Sequence, residues 1–224
     1  MKTAPDTPND LTLKIRQLGQ QDYQATWLAM KDFCLTRTEN TADEVWFVEH
    51  PPVFTQGVSG TPEHILTNSD IPIVQSDRGG QITYHGPGQL VMYVLFDLRR
   101  LNIGIRNLVD ILENITILGL KQYGLKACAR KDAPGVYLND KKIASLGLRV
   151  KKGCSYHGLS VNIDMDLTPF SYINPCGYQG LEITQLSEHG VKCQLSDFSA
   201  ILLHELKEQL PYAQLMLGPN TLHV

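Results

Sequence analysis

Cys176 stands in Tyr172-Ile173-Asn174-Pro175-Cys176-Gly177-Tyr178, pinned between a proline and a glycine. Proline fixes its own φ, and glycine permits conformations and close approaches that a Cβ would block. A thiol on so constrained a turn is presented rather than packed. It is a candidate nucleophile, and the rest of the chain must supply an activator and a substrate site. The other four cysteines, Cys34, Cys128, Cys154 and Cys193, lack this setting and read as small packing residues or incidental surface thiols. An odd count with no Cys-x-x-Cys pair argues against a disulfide framework and for a reducing compartment.

Three more segments carry residue types that do chemistry. Asp77-Arg78-Gly79-Gly80-Gln81-Ile82-Thr83-Tyr84-His85-Gly86-Pro87-Gly88-Gln89 interleaves four glycines and a proline with polar groups. Such a loop lets backbone N–H groups approach a ligand closely, although a purely structural tight turn would read the same way. It matches neither the phosphate-loop nor the dinucleotide-binding glycine pattern. In Lys142-Ile143-Ala144-Ser145-Leu146-Gly147-Leu148-Arg149, strand alternation puts Lys142, Ala144 and Leu146 on one face and Ile143, Ser145 and Gly147 on the other. A lysine among apolar neighbours is desolvated and gives up its proton more readily. On spacing alone, however, Lys142 reads better as an exposed edge-strand lysine. In Tyr156-His157-Gly158-Leu159-Ser160-Val161-Asn162, His157 is either a base or a buried histidine bonded to a carbonyl. Cys154 and His157 form a single Cys-x-x-His without a second pair, so zinc is not expected, nor is a metal shared by His50, His85 and His157.

The elements that must position these groups are legible in part. Asp22 to Thr38 spaces Tyr23, Trp27, Met30, Phe33 and Cys34 as a helix. Asn107 to Tyr123 does the same with Leu108, Ile111, Leu112, Ile115 and Leu118, stopping at Gly124. Ser196 can cap a third helix carrying Phe198, Ile201, Leu202 and Leu206, ended by Pro211. Strand-like runs are Val45–Val48, Leu90–Phe96, Val136–Leu138, Lys142–Val150 and Leu159–Ile163, with a hairpin turn at Asn139-Asp140-Lys141. Helices mixed with hairpins predict a mixed-sheet α/β domain. Residues 1–10 read as a flexible tail without an apolar signal region, and 11–224 as one domain.

Hydrophobic content of 42% and charged content of 19% are ordinary for a globular protein, and no apolar run is long enough to span a bilayer. Charge is uneven: nine basic residues against Asp132 and Asp140 give +7 between Lys121 and Lys152, in a chain whose net charge is −3. That segment is either a solvated face or a docking surface for an acidic partner. Nucleic acid fits poorly with a mildly acidic chain lacking any recognised motif.

The segment Arg78 to Gln89 resembles the signature of the lipoyl(octanoyl) transferases. Glu49-His50-Pro51-Pro52-Val53-Phe54-Thr55-Gln56-Gly57, Lys142 to Arg149, Tyr156 to Asn162 and Asn174-Pro175-Cys176-Gly177 resemble that family too, in its order and approximate spacing, over roughly Leu11 to Leu210. The resemblance implies the α/β fold shared with biotin and lipoate protein ligases. It also implies transfer of an octanoyl group from acyl-carrier protein to a lysine of lipoyl domains, in subunits of the 2-oxoacid dehydrogenases and the glycine-cleavage H protein. By resemblance, Cys176 is the nucleophile that forms an acyl-thioester, and Lys142 tunes the thiol and shuttles protons. Substrate-binding positions carry over to Arg78, Gly79, Gly80, Gln81, Ile82, Thr83, Tyr84 and His85, to Ser145, Leu146 and Gly147, and to Gly158, Leu159 and Ser160.

The family's reaction implies no cofactor and no metal, a cytoplasmic location and a monomer that meets no membrane. Exchanging thioesters is nearly balanced and forming an amide from one is downhill, so no ATP is needed. Burying about six methylenes at ~0.8 kcal/mol each offers ~5 kcal/mol of binding. An ATP-dependent lipoate–protein ligase of the same fold, a non-catalytic binder of lipoyl domains and a cysteine hydrolase are the rival readings; the last lacks a papain-type signature.

Overall fold

The strand pattern of the chain builds two sheets, seen in a computed structural model that describes residues 11–222. The proposed tail at 1–10 and the last two residues lie outside the described part. The elements are β1 (Leu11–Gln20), α1 (Tyr23–Thr36), β2 (Asp43–Glu49), β3 (Val53–Gln56), β4 (Ile73–Gln75), β5 (Ile82–His85), β6 (Gln89–Leu95), α2 (Ile105–Gln122), β7 (Ala127–Ala129), β8 (Gly135–Leu138), β9 (Lys141–Lys151), β10 (Cys154–Asn162), α3 (Leu195–Gln209) and β11 (Tyr212–Leu217). Eight strands form one sheet in the order β11-β1-β2-β6-β10-β9-β8-β7, and β4-β3-β5 form a second. β1 runs parallel to both its neighbours, whereas β2, β6, β10, β9, β8 and β7 are antiparallel in turn. The chain is therefore a mixed-sheet α/β domain, as expected.

Alternation along the central strands feeds two faces. Val45 and Phe47 of β2 with Leu90, Met92 and Val94 of β6 pack beneath Leu108, Leu112 and Ile115 of α2 and Phe198, Leu202 and Leu206 of α3. Trp46, Val48, Val91, Tyr93 and Leu95 face the other way, onto Met30 and Cys34 of α1. Each fully buried large side chain in these layers contributes about 1.5–3 kcal/mol. The Asp22 carboxylate caps α1 by accepting the Ala25 N–H at 2.8 Å. α2 starts two residues before the expected Asn107, because the Asn107 side chain reaches back to the Gly104 N–H at 3.3 Å. α3 is not capped by Ser196. It begins at Leu195, and Asp197 accepts the Gln194 N–H instead, at 3.4 Å.

Two local departures from ideal strands shape the site. The hairpin between β8 and β9 turns on Asn139 (φ 47°) and Asp140 (φ 70°), a two-residue loop of the primed kind that follows strand twist. Just beyond it the register slips: Tyr137 opposes Lys142 while Val136 opposes Ala144. The extra residue, Ile143, is a bulge, and both Ile143 and Ala144 enter the core. Strict alternation beyond the bulge then puts Lys142 on the face of Ser145 and Gly147, not with Ala144 and Leu146 as the plain period-two reading predicted. The second correction concerns the glycine-rich segment. Its middle, Ile82–His85, is a strand paired with β3, with Ile82 and Tyr84 in a third small core beside Phe54 and Phe170.

Candidate active site

Cys176 occupies a tight 3-10 turn, Pro175–Gly177, closed by Gly177 N–H to Asn174 O (3.0 Å) and Tyr178 N–H to Pro175 O (3.1 Å). Its own backbone is left-handed, at φ 56° and ψ 16°. A β-carbon in that region costs about 1–3 kcal/mol, so the rest of the structure holds the thiol there. The turn is tied down on both sides. Asn174 N–H donates to His64 O at 2.8 Å, and the Tyr178 hydroxyl donates to Asp132 O at 2.5 Å. Gly177 admits Gln81, since a Cβ there would lie 2.9 Å from Gln81 Cγ.

Lys142 is not an edge-strand surface residue. It is 2% exposed, and its Nζ lies 3.1 Å from Cys176 Sγ. The segment after the thiol clamps the start of β9, with Lys142 N–H donating to Glu182 O (2.8 Å) and Thr184 N–H to Lys142 O (2.9 Å). Around the ammonium stand the Tyr137 ring, 5.6 Å from Nζ to the centroid, and the backbone of Gly135. Burial and the neighbouring Cys176 push the Tyr137 phenol up to about 12, so it stays neutral. An amine and a thiol at this distance are within reach for direct proton transfer. The ammonium donates to a thiolate, and the neutral amine accepts from a thiol.

The pair opens on a cavity of about 470 Å³, the scale of a small-molecule site. Its floor is the β9–β10 ladder. Ser145 faces Ser160, Leu146 faces Leu159 and Gly147 faces Gly158, so two sequence segments become one surface. Leu146 and Leu159 turn their side chains to the helical core, leaving serines and glycines toward the cavity. The Arg78–Gln81 loop forms the roof and rests on this ladder through Gly79 N–H to Leu148 O at 3.0 Å. Gly147 makes the approach possible, because a Cβ there would stand 3.1 Å from Arg78 Cδ.

Arg78 is 8% exposed, and its guanidinium donates to Thr55 O and Oγ1, Gly79 O and Gln81 O, none of them a carboxylate. Burial lowers its pKa, and it works as the brace that curls the loop over the cavity. Asp77 fixes the loop's other end by accepting from Trp27 Nε1 (2.8 Å), the Tyr156 hydroxyl (2.7 Å) and His157 Nε2 (3.1 Å). Burial opposes the Asp77 charge, but these donors win and hold its carboxyl well below the usual range.

The deep wall is polar and aromatic. His85 bonds Gln89 Oε1 at 2.7 Å, and His50 bonds Gln21 O and the Tyr93 hydroxyl, each at 2.7 Å. Burial drives His50 down to about 4 and His85 down to about 3. His157 is bonded to a carboxylate rather than to a carbonyl, and burial lowers it as well. These rings line or back the cavity as neutral groups, and most of their nitrogens are spent on protein partners.

Of the anticipated substrate positions, Arg78, Gly79, Gly80, Gln81, Ile82, Thr83, His85, Ser145, Leu146, Gly147, Gly158, Leu159 and Ser160 border the cavity together with Cys176 and Lys142. Tyr84 does not; strand alternation turns it into the small core, against Phe54 and Phe170 at 5.5 Å between ring centroids. Sequence reading missed Tyr23, Tyr93 and Tyr178 on the cavity wall and Asp77 behind it. Only Asp77 and Tyr178 had a local signal, each being the end residue of a segment already singled out, though neither was given a role.

The lipoyl protein ligase A/B catalytic domain model matches residues 22–207. An octanoyltransferase of Psychromonas ingrahamii is 55% identical over 206 residues, covering 92% of this chain and 95% of the relative. The bipartite lipoate protein ligase of Thermoplasma acidophilum, solved in a study of an archaeal lipoylation system and its E2 lipoyl domain, superimposes with a TM-score of 0.75 at 15% identity, covering 95% of this chain and 88% of that one. Biotin protein ligase from Aquifex aeolicus superimposes with a TM-score of 0.53 at 11% identity, covering 89% and 68%. At such identities the two structures share the fold.

Proposed function

The chain belongs to the lipoyl protein ligase A/B catalytic domain family, and from that membership and its site we propose that it transfers an octanoyl group from acyl-carrier protein to a lysine of lipoyl domains. The observation that carries the chemistry is the 3.1 Å contact between Lys142 Nζ and Cys176 Sγ at the edge of the cavity. A ligase that activates a free acid with ATP needs no such thiol. An acyl relay does.

In the first half-reaction the Cys176 thiol passes its proton to Lys142, and the thiolate attacks the donor thioester carbonyl. The carbon–sulfur bond to the carrier breaks, and the leaving thiolate takes the proton from Lys142. An acyl-Cys176 thioester remains. In the second, the acceptor lysine, as a neutral amine, attacks that thioester and the bond to Cys176 Sγ breaks. The proton lost by the amine travels through Lys142 back to the sulfur, so both residues end as they began. The acyl chain lies between the Arg78–Gln81 roof and the serine–glycine floor. The acceptors are the lipoyl domains of 2-oxoacid dehydrogenase subunits and the glycine-cleavage H protein. The reading includes a cytoplasmic enzyme working as a monomer; the cavity is lined by residues of one chain, and among the described residues no helix is long and apolar enough to cross a membrane.

The basic segment does not act as one patch. Lys142 is buried and Lys141 pairs with Glu182, whereas the Arg130 pair with the exposed Asp140 is a surface pair of little worth and leaves Arg130 able to meet a partner. Lys151 and Lys152 sit at the far end of β9, about 30 Å along the strand from Lys142 at ~3.3 Å per residue. Arg130 and Lys131 instead adjoin Asp132, whose carbonyl holds Tyr178 beside the thiol. They are the better place for an acidic carrier protein to dock.

The test is mass spectrometry of a lipoyl domain incubated with octanoyl carrier protein and the enzyme without ATP. We expect one octanoyl addition, an acyl adduct on Cys176 when the acceptor is withheld, and neither with Cys176→Ala. No addition to the acceptor by the unmodified enzyme would overturn the reading.

A further inference from the structure

α2 carries a carboxylate on its buried face. Glu113 is 8% exposed, and it follows Leu112, which is fully buried in the same helix. A buried carboxylate is costly unless it is bonded, and this one accepts the backbone N–H of Gly135 at 2.7 Å. Burial raises the Glu113 carboxyl, opposed by that N–H and more weakly by the Lys142 charge.

Gly135 begins β8 and lies directly against Lys142. A Cβ on it would stand 2.3 Å from Lys142 Cε and 3.0 Å from Lys142 Nζ, so the glycine backbone is the wall on which the lysine stem rests. Its φ of 145° belongs to a region open only to glycine, where local sterics hold a peptide loosely. The orientation of that wall has to come from its hydrogen bonds. On the proposed acyl relay through Cys176 and Lys142, we propose that Glu113 is a positioning residue: its carboxylate fixes the Gly135 peptide, and that peptide holds Lys142 against the Cys176 sulfur. Glu113 is not among the residues lining the cavity, and its bond is to Gly135, not to the thiol. It acts from the helical side of the sheet, through one backbone N–H.

Reach and charge are separable. Glu113→Asp keeps the charge but is one methylene too short for the Gly135 N–H. Glu113→Gln keeps an acceptor oxygen at full length and loses the charge. Glu113→Ala loses both. The readout is the rate at which iodoacetamide alkylates Cys176, followed on its own peptide by mass spectrometry, since this depends on thiolate supply and not on any acyl donor. Octanoyl transfer kinetics accompany it.

We expect Asp and Ala to slow alkylation and kcat by about 10-fold or more, with KM for the donor within about 2-fold, as a misplaced catalytic group does. Gln should recover at least half of both rates. Wild-type behaviour of Asp, or a Gln variant as slow as Asp, would overturn the proposal, as would a change confined to KM. Asp and Gln both fill the site, so the comparison stands even if Ala does not fold. A protein that follows this alkylation pattern yet transfers no octanoyl group would sink the proposed function and leave the positioning role intact.

Discussion

Replacing Gly135 with alanine should uncouple the thiol from its lysine without replacing either. The new Cβ would lie 2.3 Å from Lys142 Cε and 2.7 Å from the Ala144 carbonyl oxygen. The contact with the carbonyl strains the strand, and the shorter contact with Cε is relieved by moving the flexible lysine stem. Restoring an ordinary carbon–carbon contact of about 3.5 Å moves the stem by about 1 Å. The Nζ–Sγ contact of 3.1 Å then opens beyond hydrogen-bonding reach. A charge-assisted hydrogen bond is worth ~1.5–3 kcal/mol, so acylation of Cys176 should fall about 10- to 100-fold. The assay is single-turnover formation of the acyl-Cys176 adduct from octanoyl carrier protein, quenched in acid and counted by intact mass. Gly135→Ala also strains the backbone, at φ 145°, so Gly124→Ala is the control. Gly124 has φ 76° with nothing within 4 Å of its added Cβ, so it should lose about 1 kcal/mol of stability and keep its acylation rate. A folded Gly135→Ala enzyme that acylates within 2-fold of the wild type would refute the claim that the lysine's position sets the rate.

Asp77→Ala strands three donors, Trp27 Nε1, the Tyr156 hydroxyl and His157 Nε2, and should cost about 3 kcal/mol in urea denaturation; a loss under 1 kcal/mol would mean the network carries little. Acid should destabilise the protein through His50 and His85. Their folded values, about 4 and about 3, lie below the unfolded value near 6.5. The unfolded chain therefore binds more protons as pH falls below about 6.5, and stability drops until the folded values are reached. The slope is about 1.4 kcal/mol per pH unit per histidine, so going from pH 7 to pH 5 removes ~2 kcal/mol for each. A urea midpoint that stays level across that range would contradict the burial of neutral rings. Charge reversal at Arg130 and Lys131 should raise KM for octanoyl carrier protein at low salt and flatten its salt dependence, whereas reversal at Lys151 and Lys152 should do neither; equal effects from both pairs would remove the case for docking beside the thiol.

The chain's local order fixed a good deal of this protein. Pro175 and Gly177 mark the Cys176 turn, Asn139-Asp140 sets a hairpin, and the 3.6-residue spacing of apolar side chains lays out three helices within two residues of their true ends. Those signals are short-range, and a turn or a cap is decided by its immediate neighbours. The motif segments also pointed to the cavity, because each is a contiguous stretch that closes on one surface.

What only tertiary structure decided is how the pieces face each other. Lys142 read as a surface lysine because a bulge is invisible to a period-two count; one extra residue at Ile143 turns it from solvent to sulfur. Ile82–His85 read as loop because its pairing partner, Val53–Gln56, lies 26 to 32 residues away along the register. Tyr84 was placed with its neighbours in the cavity, but alternation on that unseen strand points it into the core. Glu113 had no signal at all, since a carboxylate at an ordinary helix position means nothing until Gly135 arrives across the sheet to receive it. Sequence determines the local conformations and the chemical inventory. The 3.1 Å between a sulfur and an amine is set by strand register, and register is a sum over the whole sheet.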